Sequence, residues 1–114
     1  MATRDEFILC GVALDSELAY RTDIWESELM RTYPKEGELT YLYVEDFWTK
    51  QFIVGVPLIV NSDVTESLSV EKFSPFNAGY NEYVREVQKH VENVFGEYVE
   101  PHLIMIVQDT TDVM

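Results

Sequence analysis

Hydrophobic positions along the chain fall into short runs of strand length and one long stripe of helical period, separated by polar punctuation. The most apolar run is 51–60, Gln-Phe-Ile-Val-Gly-Val-Pro-Leu-Ile-Val. Its β-branched content, its shortness and the turn formers Asn61, Ser62 and Asp63 behind it predict a strand over 52–60, buried on both faces. A second run, 7–14, uses the same small alphabet and predicts another buried strand. Gly11 and Gly55 weaken the interiors of these strands, which marks a bulge or a close backbone approach. Pro57 cannot donate to a ladder, so regular pairing ends at Val56 or a bulge sits there. A third strand is expected over 39–44, with Tyr41 and Tyr43 on the face of Leu39, and Leu42 and Val44 on the other. A fourth covers 102–107.

The helical signals are of two kinds. Leu18, Thr22, Trp25 and Leu29 fall at helical spacing and predict a helix ending near Thr32, ahead of Pro34. Asp15, Thr22 or Asp23 can cap it, with Asp23 and Glu26 as a capping box, or residues 15–22 form an irregular loop. Tyr80, Val84, Val87, Val91, Val94 and Tyr98 make the clearest periodicity in the chain, widened by Tyr83 and Phe95. The opposite face carries Glu82, Arg85, Glu86, Lys89 and Glu92 at i,i+3 and i,i+4 spacing. Ser74-Pro75 is a candidate start for this helix, and Gly96 or Pro101 ends it.

The order is β-α-β-β-α-β, with room for a short extra edge strand near 67–73. Two helices cannot cover both faces of a four-stranded sheet, so they are expected on one face. Right-handed crossovers then give an α+β, two-layer ferredoxin-like sandwich with strand order 4-1-3-2 and strands 7–14 and 52–60 as a central parallel pair. The sheet's other face is left open, and a homodimer through it is one way to cover its apolar residues.

Length and charge narrow the picture. A chain of 114 residues is a single domain, and 46% hydrophobic content supports a folded core. The net charge is −13. Residues 1–57 hold 11 acids and 5 bases (−6), and residues 58–114 hold 10 acids and 3 bases (−7), so the field belongs to the whole domain rather than to a tail. Repulsion from phosphate argues against direct nucleic-acid binding and against an anionic membrane surface. A basic protein partner, a cationic ligand or a metal ion suits the field, although charge alone also keeps a small domain soluble. The single cysteine, Cys10, lies in an apolar run and is expected to be buried. No secretory leader or membrane-length apolar run is evident, which points to a soluble, cytoplasmic protein.

Two groups of residues carry candidate chemistry. Glu45, Asp46, Phe47 and Trp48, in the connection between the second and third strands, place two large aromatics beside two acids. That composition suits an anchor for a partner with a basic rim; the competing expectation is that Trp48 folds back over the sheet or first helix. In the parallel arrangement, Asp15, Glu17, Asn61, Asp63 and His102 would share one rim. Asp15, Asp63 and His102 could then hold a divalent metal or pair as acid and base. Their ordinary roles are a helix cap, a turn and the start of a strand. His90 is expected to be structural, at the edge of the second helix.

No Gly-rich phosphate loop, GxSxG, HExxH, EF-hand loop or cofactor motif occurs, so the balance falls against an enzyme without deciding the question. RNA-recognition domains share the βαββαβ order, but 50–57 does not reproduce their aromatic pattern. Three functions stay open. The first is a small acidic interaction or regulatory module, inhibiting a basic or nucleic-acid-binding partner. The second is a metal- or small-molecule-binding domain with hydrolytic activity at the Asp15, Asp63 and His102 rim. The third is a structural homo-oligomeric subunit.

Overall fold

The computed structural model describes residues 4–45, 48–64 and 79–109, the side chains of Asp63, Val64 and Asp109 excepted. The expected extra strand near 67–73 and the helix start at Ser74-Pro75 lie outside these residues, as do Asp46 and Phe47. Four strands form one sheet: β1 (Arg4–Leu14), β2 (Thr40–Glu45), β3 (Lys50–Val64) and β4 (His102–Asp109), in the order β2-β3-β1-β4. Every neighbouring pair is antiparallel. Three short helical turns follow β1: a 3-10 turn (Ser16–Tyr20), α1 (Thr22–Trp25) and α2 (Glu28–Arg31). One long helix, α3 (Tyr80–Phe95), precedes β4.

The ferredoxin-like βαββαβ sandwich drawn from the sequence, with its parallel central pair and two covering helices, is thereby overturned. The two glycine-bearing strands do occupy the centre of the sheet, but they run in opposite directions, and a single long helix covers it. Gly11 lies directly across from Gly55. A Cβ on Gly11 would stand 2.7 Å from the Val54 carbonyl oxygen, and one on Gly55 would stand 2.7 Å from that of Cys10. No side chain fits there. An apolar, β-branched run reads alike in both directions, so its pattern carries no information on strand direction.

The long first helix fails for a local reason. Arg21 has an extended backbone (φ −57°, ψ 135°) and ends the 3-10 turn as it begins α1. Glu26 and Ser27 then interrupt again, and the Ser27 hydroxyl accepts the Leu29 N–H at 3.1 Å to start α2. Asp23, expected in a capping box, is instead held by the Arg21 guanidinium at 2.7 and 3.1 Å.

Pro57 is accommodated by a bulge. Ile8 pairs with Ile59 and Leu9 with Pro57, leaving Leu58 as the extra residue on β3. The Pro57 carbonyl accepts the Gly37 N–H at 2.9 Å. A strand residue's N and O point the same way, so the missing N–H of Pro57 faces the β2 side of the strand, past the Thr40–Gly55 pair, where β2 has not yet begun. The segment leading into β2 follows this part of β3 instead: the Glu36 carboxylate accepts the Val60 N–H at 3.1 Å, and the Tyr33 and Ser62 hydroxyls are 2.8 Å apart.

Each face of the sheet has a core. On one, Val87 and Val91 of α3 pack on Val12, Phe52, Val54, Val56 and Tyr41, joined by Ala19 and Ile24 from the first crossover. Leu39 and Tyr43 join the same cluster, as their alternation predicts. On the other, Phe7, Leu9, Ile53 and Ile106 are buried beside Leu42, Val44, Val60 and Ile104. The face expected to be open for a dimer is therefore closed at its most apolar positions within one chain. Cys10 is buried as expected, and burial pushes its thiol pKa up. At its far end α3 stops at Gly96, left-handed at φ +67°, whose N–H returns to the Glu92 carbonyl at 3.1 Å. Tyr98, placed on the helical stripe by its spacing, lies beyond this stop and is exposed.

Glycine substitutions should separate two kinds of constraint. At Gly96 only the backbone angle matters, so Gly96→Ala should cost about 1–2 kcal/mol and Gly96→Asn clearly less, because Asn tolerates the left-handed region. At Gly11 or Gly55 the obstacle is backbone, so Ala and Asn should both destabilise by about 1–3 kcal/mol or more. Denaturant unfolding of the six variants checks this ordering.

Candidate functional site

The antiparallel central pair disperses the rim anticipated around Asp15, Asp63 and His102. Asp15 follows the end of β1, where Leu14 pairs with Phe52, while Asp63 lies beside the opposite end, where Arg4 pairs with Val64. Ten strand residues of roughly 3.3 Å each put about 30 Å between those ends. His102 pairs with Gly11, and Asn61 pairs with Glu6. Asp15 caps the 3-10 turn, its carboxylate accepting the Glu17 N–H at 3.0 Å. Among the described residues no group of three His, Cys, Asp or Glu side chains could hold a metal.

The connection between β2 and β3 is a hairpin closed by Glu45 across from Lys50. At this end of the sheet Trp48 is 90% exposed, so it does not fold back into the core. Of the residues singled out there, Glu45 and Trp48 are described, and both lie at the surface.

Below the hairpin, β2 carries two tyrosines with different surroundings. Tyr41 is buried, edge-on to Phe52 and Phe95, and its hydroxyl lies 2.6 Å from Nε2 of His90. Burial raises the Tyr41 pKa and lowers that of His90. Both groups are thus neutral near pH 7, with the phenol donating and the imidazole accepting. Tyr43, two residues on, meets Tyr20 and Trp25 at the surface. The Tyr20 and Trp25 rings stack at 5.7 Å, and Tyr43 stands edge-on to each at 5.5 and 5.8 Å. The Tyr20 and Tyr43 hydroxyls are 2.5 Å apart. Hydrogen bonding to Tyr20, then desolvation, then the Glu45 carboxylate hold the Tyr43 hydroxyl protonated far above the usual phenol range.

Helical spacing places Trp25 on one stripe with Leu18, Thr22 and Leu29, whereas the structure leaves it exposed. Ser27, a favoured cap residue, marks the second break in the sequence, but the extended backbone at Arg21 that makes the first has no sequence signal.

No protein-family model, curated protein or solved structure matches this chain. Among the described residues no helix is long and apolar enough to cross a membrane.

The Tyr41–His90 contact makes a pH prediction. The unfolded chain takes up a proton at the ordinary histidine value near 6.5, whereas folded His90 resists protonation to a lower pH. Its contribution to stability is therefore complete above about pH 6.5 and is lost as pH falls below that. Thermal melts at pH 7.5 and 5.5 should show a larger fall for the natural sequence than for His90→Gln, which keeps an acceptor for Tyr41 but does not titrate. Equal falls in the two proteins would remove His90 from the account.

Proposed function

We propose that this chain is a small acidic interaction module, regulatory or inhibitory in effect, that engages a basic protein partner through the β2–β3 hairpin. The exposure of Trp48 carries the reading. A tryptophan is expensive to leave in water, and exposed aromatic anchors are enriched where interfaces form. The charge of −13 supplies long-range attraction for a basic surface. Glu45 and Lys50 close the hairpin and fix where the aromatic is presented.

Trp48→Ala should leave the unfolding free energy within about 0.5 kcal/mol, since a side chain 90% exposed buries little surface. The same variant should lose most of the basic proteins that the natural sequence retains from lysate at low salt. That retention should itself vanish near 1 M salt, where the screening length is about 3 Å. Retention of no basic or nucleic-acid-binding protein at low salt would sink the reading. A loss of roughly 3–5 kcal/mol in the variant would show Trp48 to be a packing residue instead.

A separate observation favours a second reading, a homo-oligomeric subunit. Leu103, Met105 and Val107 are exposed on one face of β4, Met105 at 69%. They lie across from Cys10, Ile8 and Glu6 of β1, on the helix-bearing side. No charge interrupts 103–108, and β4 is one of the two edge strands among the described residues. Paired with a second copy about Met105, the strand sets Leu103 against Val107 and Met105 against itself, a self-complementary two-fold contact. Light scattering over a concentration series should find a dimer that Met105→Lys converts to monomer. A monomer at every concentration removes this reading.

A further inference from the structure

The aromatic group beside the hairpin sharpens the first of these readings, on which it rests. Its rings come from three places: Tyr20 from the 3-10 turn, Trp25 from the end of α1 and Tyr43 from β2. An unbroken first helix would have turned Trp25 inward with Leu29. The break at Arg21 turns it out, where its ring lies nearly parallel to that of Tyr20, with 24° between the planes. Tyr20 remains 53% exposed and Trp25 45%. The rings pack directly against one another, so they offer an outward surface rather than an enclosed cage.

The charges around this surface are unevenly satisfied. Arg21 is paired with Asp23 at 2.7 Å and lies over the Phe95 ring at 5.5 Å, so the neighbouring aromatic face already holds a guanidinium. The Tyr20 and Trp25 faces carry no such cation among the described residues. Glu45, two residues after Tyr43, lies on the same face of β2, close enough to influence the Tyr43 hydroxyl. Among the described residues it has no ion-pair partner, although Lys50 is directly across the hairpin.

We propose that Tyr20, Trp25 and Tyr43, with Glu45 at their edge, form the seat for one cationic side chain of the basic partner, an arginine fitting best. The ring faces attract a cation through their quadrupole, and an outward face of the Tyr20–Trp25 stack matches a planar guanidinium. Glu45 supplies the countercharge and accepts hydrogen bonds from the guanidinium edge. Lysine meets the charge requirement but lacks the plane and the fork. A neutral side chain of the same shape keeps the plane but lacks the charge.

The chain has two tryptophans, so Trp48→Phe leaves Trp25 as the sole tryptophan. In that background, Trp25 fluorescence is titrated with a short Gly/Ser-flanked peptide containing arginine, with its lysine analogue and with its citrulline analogue, the neutral counterpart of arginine. A saturable response is expected, strongest for arginine, roughly 3- to 10-fold weaker for lysine and absent for citrulline. Glu45→Gln should weaken arginine binding by a similar factor while the circular dichroism spectrum and melting temperature stay unchanged. That isosteric change guards against variants that only loosen the packing. Equal responses to arginine and citrulline, or an unaltered affinity in Glu45→Gln, would overturn the seat. A silent Trp25 alongside basic proteins still retained through Trp48 would overturn the seat and leave the hairpin reading standing. A saturable arginine response in a chain that retains no basic protein would do the reverse.

Discussion

The contact between Gly11 and Gly55 is the constraint on which the architecture depends. Two backbones meet where neither can carry a side chain, and each glycine's missing Cβ would fall against a carbonyl oxygen of the other strand. This fixes the register of the central pair from Leu14 across from Phe52 to Leu9 across from Pro57, as far as the bulge at Leu58. A slip of one residue would set a side chain against a carbonyl and reverse the faces of every apolar residue. The faces are occupied differently: Val12, Val54 and Val56 meet α3, whereas Phe7, Leu9 and Ile53 make the second cluster. One small contact therefore decides which residues belong to which core.

The elements most legible in the sequence were those whose pattern is local. The strand segments, the stripe through Val87 and Val91, and the opposite facing of Tyr41 and Leu42 all follow from periods of two and 3.6 residues. Strand direction is not local. The runs 7–14 and 52–60 are apolar throughout, and such a run looks the same reversed, so hydrophobicity could place both in the centre without deciding how they run. The glycines held part of the answer, since one in each run marks a close approach, but their mutual opposition is a tertiary fact. The first crossover was lost for a different reason. Leu18, Thr22, Trp25 and Leu29 satisfy a helical period, yet Arg21 adopts an extended backbone within that span and Ser27 caps a fresh turn. Periodicity counts apolar positions and is blind to such breaks.

Both errors pass directly into the reading of the site. The rim of Asp15, Asp63 and His102 needed the ends of β1 and β3 to coincide, which only a parallel pair provides. Antiparallel pairing leaves Asp15 as a cap and sets Asp63 at the other end of the sheet. Glu45 and Trp48 keep their place beside the β2–β3 turn, because that placement depends only on the two strands being adjacent and sequential, which holds in either arrangement. The Tyr20, Trp25 and Tyr43 group could not be assembled from sequence. It needs the break in the crossover to expose Trp25, and it needs β2 at the edge of the sheet to bring Tyr43 beside it.

Local irregularity and exposed chemistry thus coincide in this chain. A continuous helix over the first crossover would have buried Trp25 and hidden its face from any ligand. Short turns give up that burial, and the loss is offset elsewhere by the packing of Ala19 and Ile24 against the sheet. The inner aromatic residues, Tyr41, Phe52, Phe95 and His90, contact one another beneath the surface and give β2 a rigid footing. Tyr43 stands on that footing two residues further along the same strand face, and through it Tyr20 and Trp25 are held by ring contacts rather than by a helix. An arrangement of this kind keeps its aromatic faces in place before a partner arrives, which limits the ordering cost of binding. The irregular crossover, which weakens the resemblance to a simple two-layer fold, is the part of the chain that gives the acidic surface something specific to offer.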